Sequence, residues 1–127
     1  MADRREFPSH PAALRDIRHF VHEAVTGGAY GAADADEVTL AVSEACANAI
    51  MESTADRIEI RLLVEDDRIE VEVIDPGKRD ASPTPPTASA GHGLPVIRRM
   101  MDEVRIEPRT EAHPQTTVRM VRLPRDL

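Results

Sequence analysis

Apolar side chains recur every three or four residues over positions 14–25, a spacing that places them on one face of a helix. Ser9 and Pro11 precede this stretch, and a serine cap with proline in the first turn is typical of a helix start. The glycine pair at 27–28 then interrupts the pattern. The pattern predicts a first amphipathic helix that ends at this pair.

A second stretch of helical spacing covers residues 38–49, where small apolar side chains form a single stripe. Asp34 is followed three residues later by Glu37, which is a variant of the capping box that opens helices. We therefore expect a second helix from about this aspartate, packed closely through its small side chains.

The spacing then changes from helical to alternating. Apolar and charged residues alternate over 58–64 and again over 69–73, and the acidic residues 65–67 separate the two runs. This pattern predicts a β-hairpin with one buried face and one exposed face. Antiparallel sheets that helices cover on one side have this pattern.

The last third of the chain contains an uncharged stretch at 81–90, which predicts a loop, and then a third helix over about 93–101. Two further strands are expected near 103–107 and 116–123. Consecutive strands and segregated helices favour an α+β two-layer sandwich, with about three helices on one face of a mostly antiparallel or mixed sheet. Only 37 residues follow position 90 of 127, too few for a second domain, so we expect one domain over 1–127.

The composition narrows the class of protein. The chain has 23 acidic and 16 basic residues for a net charge of -7, and 2% of its residues are aromatic. A negatively charged chain with few aromatic side chains for base stacking is poorly suited to bind a nucleic acid. No direct nucleic-acid partner is therefore expected. Cys46 is the only cysteine, no apolar run reaches membrane-span length, and the N-terminus is unlike a secretory signal. We expect a soluble cytoplasmic protein that contacts no membrane.

Two polar residues of the second predicted helix lie on the flank of its apolar stripe. Glu44 and Asn48 are four positions apart, so they share one helix face. In a cleft between helix and sheet, a carboxylate can act as a base and an amide oxygen can hold a cation. An ordinary pair of surface side chains has the same spacing.

Two patches that contain glycine follow along the chain. Asp75 ends the second strand of the predicted hairpin, and Gly77 lets a flat ligand such as adenine approach the backbone. A strand-ending turn without a ligand has the same sequence. Gly91 and Gly93 precede the third predicted helix, whose free N–H groups attract an anion, and His92 between them could reach a phosphate or be a spacer. A flexible loop end has this composition too.

In this order, the three patches resemble the N, G1 and G2 boxes of the GHKL ATPases, the superfamily that has the Bergerat ATP-binding fold and includes the histidine kinases. The segments 40–49, 93–97 and 102–104 are similar to its small anti-sigma-factor serine kinase branch. The resemblance covers residues 10–124 and agrees with the α+β layout that the pattern predicts.

The resemblance implies a role for each residue that matches a motif. Glu44 would be the catalytic general base on an attacking hydroxyl, and Asn48 would ligate Mg²⁺ that bridges the phosphates of ATP. Asp75 would accept a hydrogen bond from the adenine amine, with Gly77 beneath the ring and Thr117 beside it.

The resemblance also implies how the phosphates are held. Gly91, His92, Gly93 and Leu94 would bind them at the start of the third helix, and residues 78–90 would form the ATP lid.

The function implied by the resemblance is that of an ATP-binding serine/threonine protein kinase. It would bind a sigma factor, phosphorylate an anti-anti-sigma antagonist of the STAS type, and form a homodimer. The chain departs from the family pattern at Arg79 and Thr116, where the family has glycines, and at Glu52, where it has a histidine. These departures leave open a non-catalytic regulatory binding module. A sensor module separated from a histidine kinase is disfavoured, because no helix with a phospho-acceptor histidine precedes the domain.

Overall fold

The fold is that of a computed structural model, which describes residues 2–26, 29–52, 55–77, 88–108 and 110–124. The strands in these residues are β1 (Ala2–Pro8), β2 (Arg57–Val64), β3 (Ile69–Asp75), β4 (Glu103–Glu107) and β5 (Thr116–Arg122). The helices are α1 (Leu14–Thr26), α2 (Ala32–Glu52) and α3 (Ala88–Met100), and a 3-10 helix (Pro11–Ala13) leads into α1.

The five strands form one antiparallel sheet in the order β1-β2-β3-β5-β4. The helices form a second layer, in which α1 packs against β2, α2 against β2 and β3, and α3 against β4. The predicted α+β two-layer sandwich is confirmed, and the sheet is antiparallel throughout. Within the described ranges, none of the helices has the length and apolar character that a membrane span needs.

The core lies between the helix layer and the inner face of the sheet. Alternation defines this face, because Ile58, Ile60 and Leu62 of β2 are buried while the residues between them are not. The buried stripe of α2 consists of small side chains: Ala35, Val38, Ala41, Val42, Ala45 and Cys46. Burial raises the pKa of the Cys46 thiol to about 12, so this cysteine is a protonated core side chain and not a nucleophile.

β1 is a strand that the hydrophobic pattern does not predict. Phe7 is its only buried residue, and it packs against Phe20 of α1 with ring centroids 5.7 Å apart. β1 pairs with β2 along its whole length, and Arg4 forms an ion pair with Glu59 of β2. An edge strand that depends on a partner so distant in the sequence leaves little local periodicity.

The helix starts differ in detail from the predictions. His10, not Ser9, caps the 3-10 helix, since its Nδ1 accepts a hydrogen bond from the N–H of Ala12 at 3.1 Å. α2 begins two residues before Asp34, whose carboxylate accepts a hydrogen bond from the N–H of Gly31 at 3.3 Å. Asp34 is therefore in the first turn of the helix and supports its cap from there.

α3 begins earlier than predicted. Its backbone is helical from Ala88, so Gly91 and Gly93 lie within the first two turns and not before the helix. Pro95 is also inside the helix, and it cannot donate a hydrogen bond to the carbonyl of Gly91. Because glycine and proline both disfavour helices, the sequence pattern places the helix start too late.

Candidate functional site

Glu44 and Asn48 lie on the side of α2 between its buried stripe and solvent, and both residues are half-buried. Four residues of helix separate them by about 6 Å along the axis and about 40° around it. Neither side chain has a hydrogen-bond or ion-pair partner in the part of the chain that the structure describes. Both polar groups are therefore accessible to a ligand.

Asp75 is the last residue of β3 and is only 7% exposed. It continues the alternation of Val71 and Val73, so its carboxylate lies on the face that the helices cover. Its Oδ1 accepts a hydrogen bond from the N–H of Gly77 at 2.9 Å. Gly77 has a φ of 69°, which glycine adopts without steric cost. The turn thus fixes a buried carboxylate beside a stretch of backbone that has no Cβ.

The strand register decides which threonine accompanies Asp75. Thr116 pairs directly with Asp75 between β5 and β3, so the two side chains lie on the same face of the sheet. Thr117 pairs with Ile74 and lies on the opposite face, although it is buried. Thr116, and not Thr117, is therefore the threonine on the same face as Asp75.

The glycine patch lies in the N-terminal turns of α3. The N–H groups without a partner inside a helix belong to its first four residues, which are 88–91 here. Of the predicted phosphate-binding residues, Gly91 is in this group, whereas Gly93 and Leu94 come after it. The side chain of His92 lies outside the described residues, as do positions 78–87 of the predicted lid.

Arg122 shows how these patches come together. It ends β5, and its guanidinium donates hydrogen bonds to Asp34 in the first turn of α2 and to the carbonyl of Met100 at the end of α3. The start of α2 and the end of α3 therefore meet at one end of the sheet. Since α2 and α3 pack against each other, the half of α2 with Asn48 and the glycine patch lie towards the other end, where Thr116 begins β5. We call this second end the site end.

Known proteins resemble this chain over most of its length. A family model for the histidine kinase-like ATPase domain matches residues 7–122. The chain belongs to this family. The match includes all the strands except the first part of β1, and all three helices of the histidine kinase-like ATPase domain.

Two similar proteins are both named serine-protein kinase RsbW. The one from Bacillus subtilis (strain 168) is 30% identical in an alignment 118 residues long, which covers 79% of this chain and 74% of that protein. The one from Bacillus velezensis is 28% identical in an alignment 120 residues long, which covers 80% of this chain and 75% of that protein.

A solved structure shows the same fold. It is a crystal structure of the RsbU and RsbW domains of a Mycobacterium tuberculosis protein, with a TM-score of 0.76 and 20% sequence identity. The similarity covers 99% of this chain and 33% of the solved one, so the chain spans about a third of that protein's solved length.

The residues of this histidine kinase-like ATPase domain fit ATP with Mg²⁺. Protein sites supply Mg²⁺ with few ligands when phosphates supply the others, and the amide oxygen of Asn48 is a ligand of the right kind. A site that recognises the exocyclic amine of a purine needs a hydrogen-bond acceptor beside a surface that the flat ring can approach. The buried carboxylate of Asp75 and the backbone of Gly77 have this chemistry.

The sequence contains signals for two residues that the sequence analysis did not place. In β5, Val118 and Met120 face the core, and alternation along the strand places Thr116 and Arg122 on the same side. Counting back from the two apolar residues identifies Thr116 as the inward threonine. Of the other departures from the family pattern, Glu52 is the exposed last residue of α2, and Arg79 lies outside the described residues.

Proposed function

We propose that this chain binds ATP with Mg²⁺ and transfers a phosphoryl group to a serine or threonine hydroxyl of another protein. The observation that carries the proposal is the carboxylate of Asp75, which is buried at the end of β3 beside Gly77 and faces the helix layer. It lies at the site end together with Asn48. The 28% and 30% identity to two proteins named serine-protein kinase supports the class of acceptor.

In this proposal the residues of the chain bind the nucleotide, orient it and move one proton. ATP with Mg²⁺ supplies the phosphoryl group and a cation that neutralises its charge. Asp75 and Thr116 hold the adenine, Asn48 ligates the cation, and the N–H groups at the start of α3 stabilise negative charge on the phosphates. Glu44, one helical turn from Asn48, takes the proton of the acceptor hydroxyl as general base.

We further propose that the protein regulates transcription by partner switching. It would bind a sigma factor and phosphorylate a STAS-type anti-anti-sigma protein, as a cytoplasmic homodimer of single-domain chains over residues 1–127. The resemblance of segments 40–49 and 93–97 to the anti-sigma-factor serine kinases supports these partners.

A second candidate function is a non-catalytic regulatory module that sequesters a partner through protein contacts. The position of Gly93 after the first four residues of α3 favours it, because an N–H group that bonds within a helix is not available to phosphates. Glu52, in place of the family's histidine, favours it too. This function requires no ATP binding.

Calorimetric titration of ATP with Mg²⁺ into the purified chain separates the two functions. We expect the wild type to bind and Asn48→Ala to lose at least tenfold in affinity, since it removes a cation ligand. Glu23→Ala, on the exposed side of α1, is the control and should bind like the wild type. If the wild type does not bind, the regulatory module is the better description.

Transfer of labelled phosphate tests the base. We would assay each STAS-type protein encoded in the same genome as an acceptor. Glu44→Gln should slow transfer by about 100-fold or more while ATP affinity stays within about threefold, because a general base acts on the chemical step. Glu23→Gln is the matched control. Transfer at the wild-type rate by Glu44→Gln would exclude Glu44 as the base.

A further inference from the structure

Arg122 is buried between the sheet and two helices, and the proposed chemistry does not use it. Its side chain is only 2% exposed. Nη2 donates to Oδ1 of Asp34 at 2.7 Å, Nη1 donates to the carbonyl of Met100 at 2.6 Å, and Glu37 forms a second ion pair with the guanidinium. These groups, which we call the Arg122 cluster, join β5, the first turns of α2 and the end of α3.

Stability alone does not require a charge at this position. Arg122 lies opposite Ile69 on the inner face of the sheet, where an apolar side chain of similar length would be well placed. Replacing buried ion pairs by apolar residues is often neutral or stabilising. Nε of Arg122 has no partner among the described atoms, so its desolvation is not fully offset. The planar guanidinium bonds to several elements at once, so it fixes their relative orientation as well as their distance. Apolar contacts do not fix orientation in this way.

The Arg122 cluster lies at one end of two helices whose other halves carry the proposed site. The chain runs seven residues from Glu37 to Glu44 and seven from Met100 to Gly93, about 10 Å of helix in each case. A change in the angle between α2 and α3 at the cluster is therefore transmitted to the site end. A displacement of about 1 Å is enough to weaken a positioned site.

The end of α3 has a further attachment to β5. The N–H of Asp102 donates to the carbonyl of Val121 at 2.8 Å, and Oδ2 of Asp102 accepts from the N–H of Leu123 at 2.7 Å. These bonds do not involve Arg122, so they hold the turn after α3 when the guanidinium is removed. Arg122 adds the polar link from this region to α2.

We propose that Arg122 is a positioning residue for the nucleotide site. Its bonds to Asp34, Glu37 and the carbonyl of Met100 set the spacing and angle of α2 and α3, and through them the distance between Asn48 and the start of α3. The functional part of this inference rests on the proposed ATP binding. The structural part, the fixed relation of the two helices, does not.

Two substitutions of Arg122 and one control test the inference. Arg122→Met keeps the length and removes every polar bond, whereas Arg122→Lys keeps the charge and loses the fork. Val25→Ala removes buried volume from α1 and lowers stability, but it removes none of the polar bonds of the Arg122 cluster. For each protein we would measure affinity for ATP with Mg²⁺ by calorimetry, the urea unfolding midpoint, and amide hydrogen exchange in α2 and α3.

We expect Arg122→Met to bind ATP about tenfold more weakly, as a misplaced site would. Amides in the first turns of α2 and the end of α3 should exchange at least threefold faster, and Arg122→Lys should recover part of both losses. Val25→Ala should keep wild-type affinity per folded molecule. If Arg122→Met does not fold, Arg122→Lys is compared with Val25→Ala at a matched unfolding midpoint. We then expect Arg122→Lys to bind ATP about threefold more weakly.

Wild-type affinity together with unchanged exchange in Arg122→Met would overturn the inference, because the cluster would then only fill the core. An equal loss of affinity in Val25→Ala would also overturn it, because affinity would then follow stability. If the wild type binds no ATP, the proposed function fails, and the exchange measurement alone decides whether Arg122 fixes the two helices.

Discussion

At one end of the sandwich Arg122 is enclosed by groups of the chain itself, whereas at the site end Asn48 and Glu44 have no bonded partner among the described residues. Burial acts to lower the pKa of Arg122, but its hydrogen bonds to Asp34 and Glu37 outweigh this and raise it, so the guanidinium stays charged. The first end uses its polar groups to fix the fold. The site end leaves polar groups accessible in a fixed place, which is what a binding site needs.

The largest expected effect is on stability, at the Arg122 cluster. Asp34→Ala removes a 2.7 Å bond to a buried guanidinium and the carboxylate that accepts from Gly31. We expect the free energy of unfolding to fall by about 3 kcal/mol, the low end of the cost of removing one partner from a buried ion pair, because Glu37 remains as a second partner. Urea unfolding measures this change.

The matched control for this prediction is Asp36→Ala on the same helix. Asp36 is 73% exposed and its 2.9 Å hydrogen bond with His22 is at the surface, so its loss should cost less than about 1 kcal/mol. Equal losses for the two variants would show that the Arg122 cluster contributes no more than a surface pair.

The next effect is on binding, at the site end. Asp75→Asn keeps an oxygen that can accept from the N–H of Gly77 but removes the negative charge of the side chain. ATP affinity should fall by about 1.5–3 kcal/mol, the range for a hydrogen bond to a charged group. Calorimetry measures this loss, and Asp67→Asn at an exposed turn is the control. Unchanged affinity would remove Asp75 from the adenine site.

A smaller effect on stability is expected in α3, the helix that runs from the site end to the Arg122 cluster. Pro95→Ala supplies the N–H that the carbonyl of Gly91 lacks, and we expect it to stabilise the protein by about 1 kcal/mol. Pro124→Ala, just after β5 and exposed, is the control. Thermal unfolding measures the gain, and a loss of stability would mean that proline suits this helix.

The smallest effect concerns Tyr30, which precedes α2 near the Arg122 cluster. Its hydroxyl donates to the carbonyl of Glu65 at 2.8 Å, in the turn before β3. Burial, and then the nearby Asp67 and Asp34, raise the pKa of Tyr30 above its usual value of about 10. Tyr30→Phe should cost about 0.5–1 kcal/mol at neutral pH.

The raised pKa of Tyr30 also predicts a pH dependence. The folded state keeps the phenol proton to a higher pH than the unfolded state, so this stabilisation is complete below about pH 10 and is lost as the pH rises above it. Urea unfolding between pH 9 and 11 should show a falling free energy for the wild type and a smaller fall for Tyr30→Phe. Equal slopes would contradict the assignment to Tyr30.

The parts of the fold that sequence reasoning predicted are those with a local period. The stripe of α2 and the alternation in β2 and β3 are properties of neighbouring residues, and burial confirms them. β1 could not be predicted, because only Phe7 faces the core and the strand depends on pairing with β2. The start of α3 was misplaced because glycine and proline, which have poor helix propensity, lie inside this helix.

The places of the proposed site residues in the fold could be predicted in part for the same reason. Asn48 and Asp75 follow from the phase of a single helix and a single strand. The phase of Val118 and Met120 within β5 indicates that Thr116 and Arg122 lie on the inner face, and the pairing of Thr116 with Asp75 confirms it. The groups to which Arg122 bonds lie far apart in the sequence, so no pattern within one segment indicates them.

The chain has one tyrosine and no tryptophan, so Tyr30 alone supplies its near-ultraviolet absorbance and fluorescence beyond the weak contribution of phenylalanine. Because Tyr30 bonds to the turn between β2 and β3, this built-in chromophore reports on the Arg122 end and is remote from the site end. A tryptophan introduced at an exposed position of the site end would emit at a separate wavelength. The two signals would then show, in one sample, whether the two ends of the domain unfold together.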